Sequence, residues 1–304
     1  MTQKERMQTI LDGGAPDVPP HWELVYQIED QVFGLDRPGT KDEDGEIKLN
    51  IELMTKMVEV YDWAVVYPVA FSLKSLHEIK RELGSKALVA GFEWDGVFWM
   101  PPGDKFMDFT VMLFEQPDEL HRQARLKCDK AKAWLKVLAE EGADFFVLAH
   151  DFGFNAGPFV SPAQFSEFVT PYLTEVVQSI HDSGLKAILH SDGDLRLLLD
   201  QLHSTGLDGY QSVDPQGSMD IKAVREEYPD WILMGNVKSS MMQDAVEEEI
   251  RASVRYCMKY GGVGKRYILS TSNCIFAGMP EESYDIMLDE YKQIITAVKE
   301  GREI

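Results

Sequence analysis

Eight short apolar runs, with helical patterns between them, constrain this sequence more than any other feature. They occur at His21–Tyr26, Trp63–Val69, Ala87–Phe92, Asp144–Ala149, Lys186–His190, Asp208–Val213, Trp231–Asn236 and Arg266–Thr271. Most are continuous rather than alternating, FFVLA and KAILH for example. A continuous run suits a strand covered on both faces, as in a parallel sheet.

The intervening segments carry helix signals. Ser161-Pro162 supplies an N-cap and a proline at the first helical position, and Phe165, Phe168, Tyr172, Val176 and Ile180 follow at helical spacing before a stop at Gly184. Pro117-Asp118 opens a second helix with Leu120, Ala124, Ala131, Leu135 and Leu138 on one face. Pro280 with Glu281 and Glu282 opens the last one, with acids placed to complement the helix dipole. The polar stretch Asp36 to Lys48 and the Pro101-Pro102-Gly103 turn read as loops inside one domain. Eight strands alternating with helices over 304 residues predict a single (β/α)8 barrel of the TIM type spanning 1–304, with its active site at the C-terminal strand ends. A doubly wound sheet is the alternative, but no GxGxxG phosphate loop follows an early strand.

Charge narrows the function classes. Lys and Arg number 30 against 51 Asp and Glu, a net −21. Such a surface repels nucleic acid and anionic membranes, and no apolar run reaches the roughly 18–20 residues that span a bilayer. Three widely spaced cysteines, Cys128, Cys257 and Cys274, form no disulfide framework. The N-terminal MTQKERMQTILDGG has no apolar signal core, so a cytoplasmic protein is expected.

In a barrel, the polar residues that end each run share one mouth. These are Glu23 on the first strand, Glu93 and Trp94 after the third, His150-Asp151 after the fourth, and His190-Ser191-Asp192-Gly193-Asp194 after the fifth. Gln211, Asn236 and the Asn273-Cys274 pair close the later strands. Two histidines, several carboxylates and one cysteine suit a divalent metal of the zinc type. His190 and Asp192, at i and i+2 of an extended segment, can reach one ion together. His190 is also readable as a hydrogen-bonded structural residue, and Asp192 as its orienting partner or a helix cap near Leu195. Asp194 suits the cap better. His150 reads as a structural or substrate-contacting residue. Trp94, Phe98 and Trp99 either line an aryl pocket or pack a loop.

The segments HDFGFNAGPFVSPAQFSEFVTPYL, LKAILHSDGDLRLLLDQLHSTGLDGYQSV, MDIKAVREEYPDWILMGNV and RYILSTSNCIFAGMPEESY resemble the uroporphyrinogen decarboxylase superfamily, in its cobalamin-dependent methyltransferase branch. The N-terminal PDVPPHWELV and GFEW match more loosely. The resemblance implies a (β/α)8 barrel. True decarboxylases of the family carry an arginine-rich N-terminal segment for substrate carboxylates, whereas this chain reads PPHWELVYQIED there. The methyltransferase branch carries zinc on an H-x-C motif and a later cysteine. Here His190-Ser191-Asp192 fills the first, and the later cysteine aligns near Asn273, one residue before Cys274.

The resemblance therefore implies transfer of a methyl group from a small donor, an aryl methyl ether by preference, to a corrinoid (cobalamin). That corrinoid is carried by a separate protein, because the carrier motif D-x-H-x-x-G is absent here. His190, Asp192 and Cys274 are the expected zinc ligands. His150, Asp151 and Asn236 are the catalytic candidates, and Glu23, Glu93, Trp94, Gln211 and Asn273 the substrate contacts. A carboxylate in place of a thiolate makes the metal harder and more Lewis-acidic, suited to an oxygen leaving group. A homodimer is also implied. The rival readings are methylcorrinoid-to-thiol transfer, a metal-independent lyase or decarboxylase, and a non-enzymatic binding module.

Overall fold

The computed structural model describes residues 1–37, 43–68 and 72–302. Its centre is a curled sheet of seven parallel strands. In chain order the strands are β1 (Val65–Val66), β2 (Leu88–Glu93), β3 (Phe145–Ala149), a small antiparallel pair β4 (Gly153–Phe154) and β5 (Gly157–Pro158), then β6 (Ala187–His190), β7 (Gly209–Ser212), β8 (Ile232–Val237) and β9 (Tyr267–Thr271). The sheet order is β1-β2-β3-β6-β7-β8-β9. Every residue of these seven strands is buried, which is why their sequences are continuous apolar runs rather than alternating ones.

The first expected strand, His21–Tyr26, is not formed. His21 and Tyr26 instead make isolated parallel bridges to Leu269 and Ile275. The Pro20 carbonyl accepts from the Leu269 amide at 2.9 Å, the Trp22 amide donates to Leu269 at 3.2 Å, and the His21 carbonyl accepts from the Ala64 amide at 2.9 Å. This short segment therefore joins both edges of the sheet. Pro19 and Pro20 have no N–H, so the ladder cannot extend toward the N-terminus. Val69, the end of the second expected strand, lies outside the described residues.

The helices follow their signals with three corrections. The Ser161 segment is two helices, Pro162–Phe168 and Thr170–His181. Ser161 is the N-cap as predicted, and with Gln164 it forms a reciprocal capping box, but Pro171 lacks the amide that a continuous helix would bond. The expected loop from Asp36 to Lys48 is helical from Glu43, as part of Glu43–Tyr61, and residues 38–42 of it lie outside the described set. The helix expected near Leu195 starts at Leu199. Asp194 caps the preceding turn instead, accepting from the Arg196 amide at 3.1 Å and pairing with its guanidinium. Pro117–Glu140 buries the face predicted for it, and Glu281–Lys299 buries Tyr284, Met287, Leu288, Tyr291 and Ile294. Among the described residues, no helix is long and apolar enough to cross a membrane.

Candidate metal centre

Parallel strands deliver their last residues to one end of the sheet, and β3, β6 and β7 lie side by side. Ala149 pairs with His190, and His190 pairs with Gln211. His150 and Asp151 thus emerge from β3 beside His190 to Asp192 from β6. The ligand atoms of Asp151, His190 and Asp192 all lie within 4.8 Å of one another. His190 Nε2 stands 3.7 Å from Asp151 Oδ1, and the Asp192 amide donates to the same oxygen at 3.1 Å.

Each member is held from behind. His190 Nδ1 is hydrogen-bonded to Gln211 Oε1. Asp192 Oδ1 accepts from the Ser212 hydroxyl at 2.7 Å, and Oδ2 from the Asn273 side-chain amide. Asn273 is anchored in turn, its own amide donating to Ser239 Oγ at 3.1 Å. Burial raises the Asp192 carboxyl above its ordinary value; the charge on His190 and the Ser212 bond oppose this, and nearby Asp151 and Asp214 add to it. The loop is tight. A Cβ on Gly193, whose φ is +85°, would stand 2.4 Å from the Gly153 carbonyl oxygen, and one on Gly217 only 2.2 Å from the Gly193 carbonyl carbon.

This donor set fits a divalent cation of the zinc type. It offers one imidazole nitrogen with a lone pair and two carboxylates, with no lysine or arginine among their hydrogen-bond partners described above. A carboxylate has lone pairs to spare beyond the bonds from Ser212 and Asn273, so those bonds orient Asp192 without exhausting it. A second group, Cys128, Asp129 and Glu175, is equally compact, but Arg125 and Lys132 already occupy Glu175 at 2.7 and 3.0 Å. The Arg125 hydrogen bond holds the Glu175 carboxyl down at about 2.

The remaining expected site residues fall into distinct places. Cys274 is half-buried and outside the cluster; burial, with the charges of Glu23 and Asp192, pushes its thiol up to about 12. His150 is fully buried, its Nε2 2.8 Å from Glu93 Oε2, and its Nδ1 has no hydrogen-bond partner. Burial acts to raise Glu93, but the hydrogen bond and charge of His150, with the Asp95 and Gly96 amides, bring it below its ordinary value. Glu23 is wholly enclosed against Ser270 and Thr271. Asn236 donates to the Val213 carbonyl at 2.8 Å and accepts from the Cys257 thiol. Trp94 is 42% exposed and stacks on Phe92 at 5.6 Å, beside a 250 Å³ cavity that Trp134 and Lys127 also line.

Sequence reading missed Ser212 and Ser239, small hydroxyls indistinguishable in sequence from ordinary strand-end serines. It also missed an open groove of about 530 Å³ lined by Phe106, Phe109, Phe114, Phe154, Phe159 and Leu197, among others. The β4–β5 pair links that groove to the cluster, since the Phe154 carbonyl accepts from the Asp194 amide at 2.9 Å.

A family model for uroporphyrinogen decarboxylase (URO-D) matches residues 50–294. The chain belongs to the uroporphyrinogen decarboxylase family. A uroporphyrinogen decarboxylase of Prochlorococcus marinus (strain MIT 9313) is 25% identical over 232 residues, covering 72% of this chain and 62% of that protein. The chloroplastic uroporphyrinogen decarboxylase of Zea mays is 26% identical over 219 residues, covering 69% of this chain and 53% of the relative. The alignments thus span less than two thirds of these family members. Among solved structures, a methyltransferase from Methanosarcina mazei has the same fold, with a TM-score of 0.76 and 17% identity over 97% of this chain and 99% of that one. Members of this family are enzymes.

Proposed function

We propose that this protein is a zinc-assisted methyltransferase that moves a methyl group from a small donor, an aryl methyl ether by preference, to a corrinoid carried by a separate protein. The observation that carries the reading is the Asp151–His190–Asp192 cluster, in which the imidazole and the Asp192 carboxylate are oriented by Gln211, Ser212 and Asn273. We read the whole chain as one (β/α)8 unit whose first strand is reduced to two bridges.

His190 Nε2, Asp192 and Asp151 would hold the zinc, with Asp151 in the place expected of Cys274. When bound, zinc supplies a Lewis acid that stabilises negative charge developing on the ether oxygen. In the transfer, the acceptor provides the electron pair for the new bond to carbon. The oxygen leaves with the pair of the C–O bond and takes up one proton. Asp151, one-third exposed, stands on the solvent side of the cluster, so that proton can arrive from water. Glu93 fixes His150, which continues the β3–β6 ladder into the loop carrying Asp151 through its amide bond to the His190 carbonyl, at 3.0 Å. The charge-free aromatic groove beside β4–β5 suits an apolar donor better than a polyanion.

The names of the curated relatives favour porphyrinogen decarboxylation instead. A porphyrinogen with eight carboxylates would face Asp151, Asp192 and Asp214 without an arginine among the cluster's described partners. Like charges at these separations oppose binding. The experiment is metal analysis of the purified protein, followed by methyl transfer from guaiacol to free cob(I)alamin, read in the visible spectrum. Stoichiometric zinc, with transfer lost in His190→Ala and after chelation, supports the reading. Full transfer by chelator-stripped protein, or porphyrinogen decarboxylation without metal, refutes it.

A further inference from the structure

Gln211 occupies a strand end, where a substrate contact is expected, yet its side chain is completely buried and all its polar groups are engaged by protein. Oε1 meets His190 Nδ1, while Nε2 donates to the Thr271 and Ser272 carbonyls at 3.4 and 3.3 Å. Those two carbonyls fix the amide. Turned over, Gln211 would set its oxygen against two carbonyl oxygens, with the imidazole Nδ1 as the one acceptor left for its NH2. This orientation makes Gln211 an acceptor toward the ring, so in the neutral imidazole Nδ1 carries the proton and Nε2, the nitrogen facing Asp151, keeps its lone pair.

We infer that Gln211 is a positioning residue: by accepting from Nδ1–H it holds His190 in the one tautomer whose Nε2 can bind a divalent cation. This rests on the metal reading above and assigns Gln211 away from substrate. A neutral imidazole otherwise exchanges between two tautomers, and the Nε2–H form would present a proton to the ion. The hold spans three strands. Gln211 sits on β7 opposite His190 on β6, and its NH2 is tied to the end of β9, so ring orientation and strand register are set together. Removing such a partner typically costs about 10–100-fold in metal affinity.

The test uses the full chain, with zinc alone as the ligand. Long-range 15N–1H spectra of the metal-free wild type, with His190 assigned by loss of its signals in His190→Ala, should show Nδ1 protonated and Nε2 bare. Gln211→Leu should weaken zinc about 10–100-fold in competition with a chromophoric chelator, and its His190 spectrum should show Nε2 protonated in part. Gln211→Glu, whose carboxyl oxygen can still accept from Nδ1, should keep zinc affinity within about threefold of the wild type or tighter, which a merely space-filling role does not predict. An Nε2–H tautomer in the wild type overturns the inference without reference to any variant. So does a folded Gln211→Leu with wild-type zinc affinity and an unchanged ring spectrum. A wild type that takes up no zinc overturns the metal reading, and with it the purpose assigned here, while the ring spectrum still judges the hold on His190.

Discussion

Replacing Glu23 with glutamine should flatten the pH dependence of stability. Glu23 is completely buried and accepts from Ser270 Oγ at 3.0 Å, from the Thr271 amide at 3.0 and 3.1 Å, and from Thr271 Oγ1 at 2.7 Å. Burial pushes its carboxyl from near 4.5 up to about 8, against the pull of those hydrogen bonds. The folded protein therefore keeps the proton up to about pH 8, while the unfolded chain releases it above about 4.5. Between those values unfolding releases a proton, so rising pH favours the unfolded state. Each pH unit in that window removes about 1.4 kcal/mol, roughly 5 kcal/mol across it. For a chain of this length 1 kcal/mol moves the midpoint by about 1.5 °C, so Glu23 alone should lower Tm by roughly 7 °C between pH 4.5 and 8. Glutamine offers one acceptor and one donor group, much like the protonated acid, and does not titrate. Thermal melts of both proteins from pH 5 to 8.5, in salt high enough to screen the net charge of −21, isolate the effect as a difference. Parallel curves would refute the reasoning, because they would mean that Glu23 ionises without penalty inside the fold.

Three further outcomes follow from the same geometry. Cys274→Ser should keep bound zinc near the wild-type stoichiometry by elemental analysis, because Cys274 lies outside the cluster that Asp151 completes. Gly193→Ala should lower both stability and zinc content, since its Cβ would meet the Gly153 carbonyl oxygen at 2.4 Å in a loop already at positive φ; denaturant melts should show a loss of about 1–3 kcal/mol. Arg225→Met should cost about 2–4 kcal/mol by the same measurement, because the buried guanidinium donates to the carbonyls of Pro229, Trp231, Gly261 and Arg266, and methionine removes all four bonds, leaving Arg266 its bond from the Leu233 amide.

The sheet was legible because burial on both faces writes itself into sequence as uninterrupted apolar residues, and seven of the eight runs are strands. The exception has a backbone cause that hydrophobicity cannot report. His21–Tyr26 carries the right residues, but it pairs only near its two ends, with Leu269 and Ile275, and Pro19 and Pro20 bar extension of the pairing toward the N-terminus. Pro171 acts likewise, splitting a helix whose apolar spacing runs on without interruption from Phe165 to Ile180. The helix from Glu43 was hidden for the opposite reason: EDGEIKLN is polar and contains a glycine, so its first turns resemble a loop.

At the site, residue type and strand-end position predicted which groups gather but not which way each one turns. His190 and Asp192 meet as the i, i+2 spacing requires. Asp151 joins them because β3 and β6 are paired neighbours, a fact of sheet order that local sequence does not carry. Cys274 stands three residues past the end of β9, where no periodicity governs direction, and it is Asn273 that turns inward to Asp192.

A consequence for the chemistry follows. The groups that orient the cluster, Gln211, Ser212, Asn273 and Ser239, are all neutral, and three of them, Gln211, Ser212 and Ser239, are almost wholly buried. Neutral donors and acceptors orient carboxylates and imidazole without cancelling their charge. Had lysine or arginine filled these places, the acids would be neutralised as Glu175 is by Arg125 and Lys132, and a cation would gain little by entering. The contrast between the two clusters, alike in compactness but opposite in their supporting residues, is why the first and not the second carries the proposed divalent-ion site.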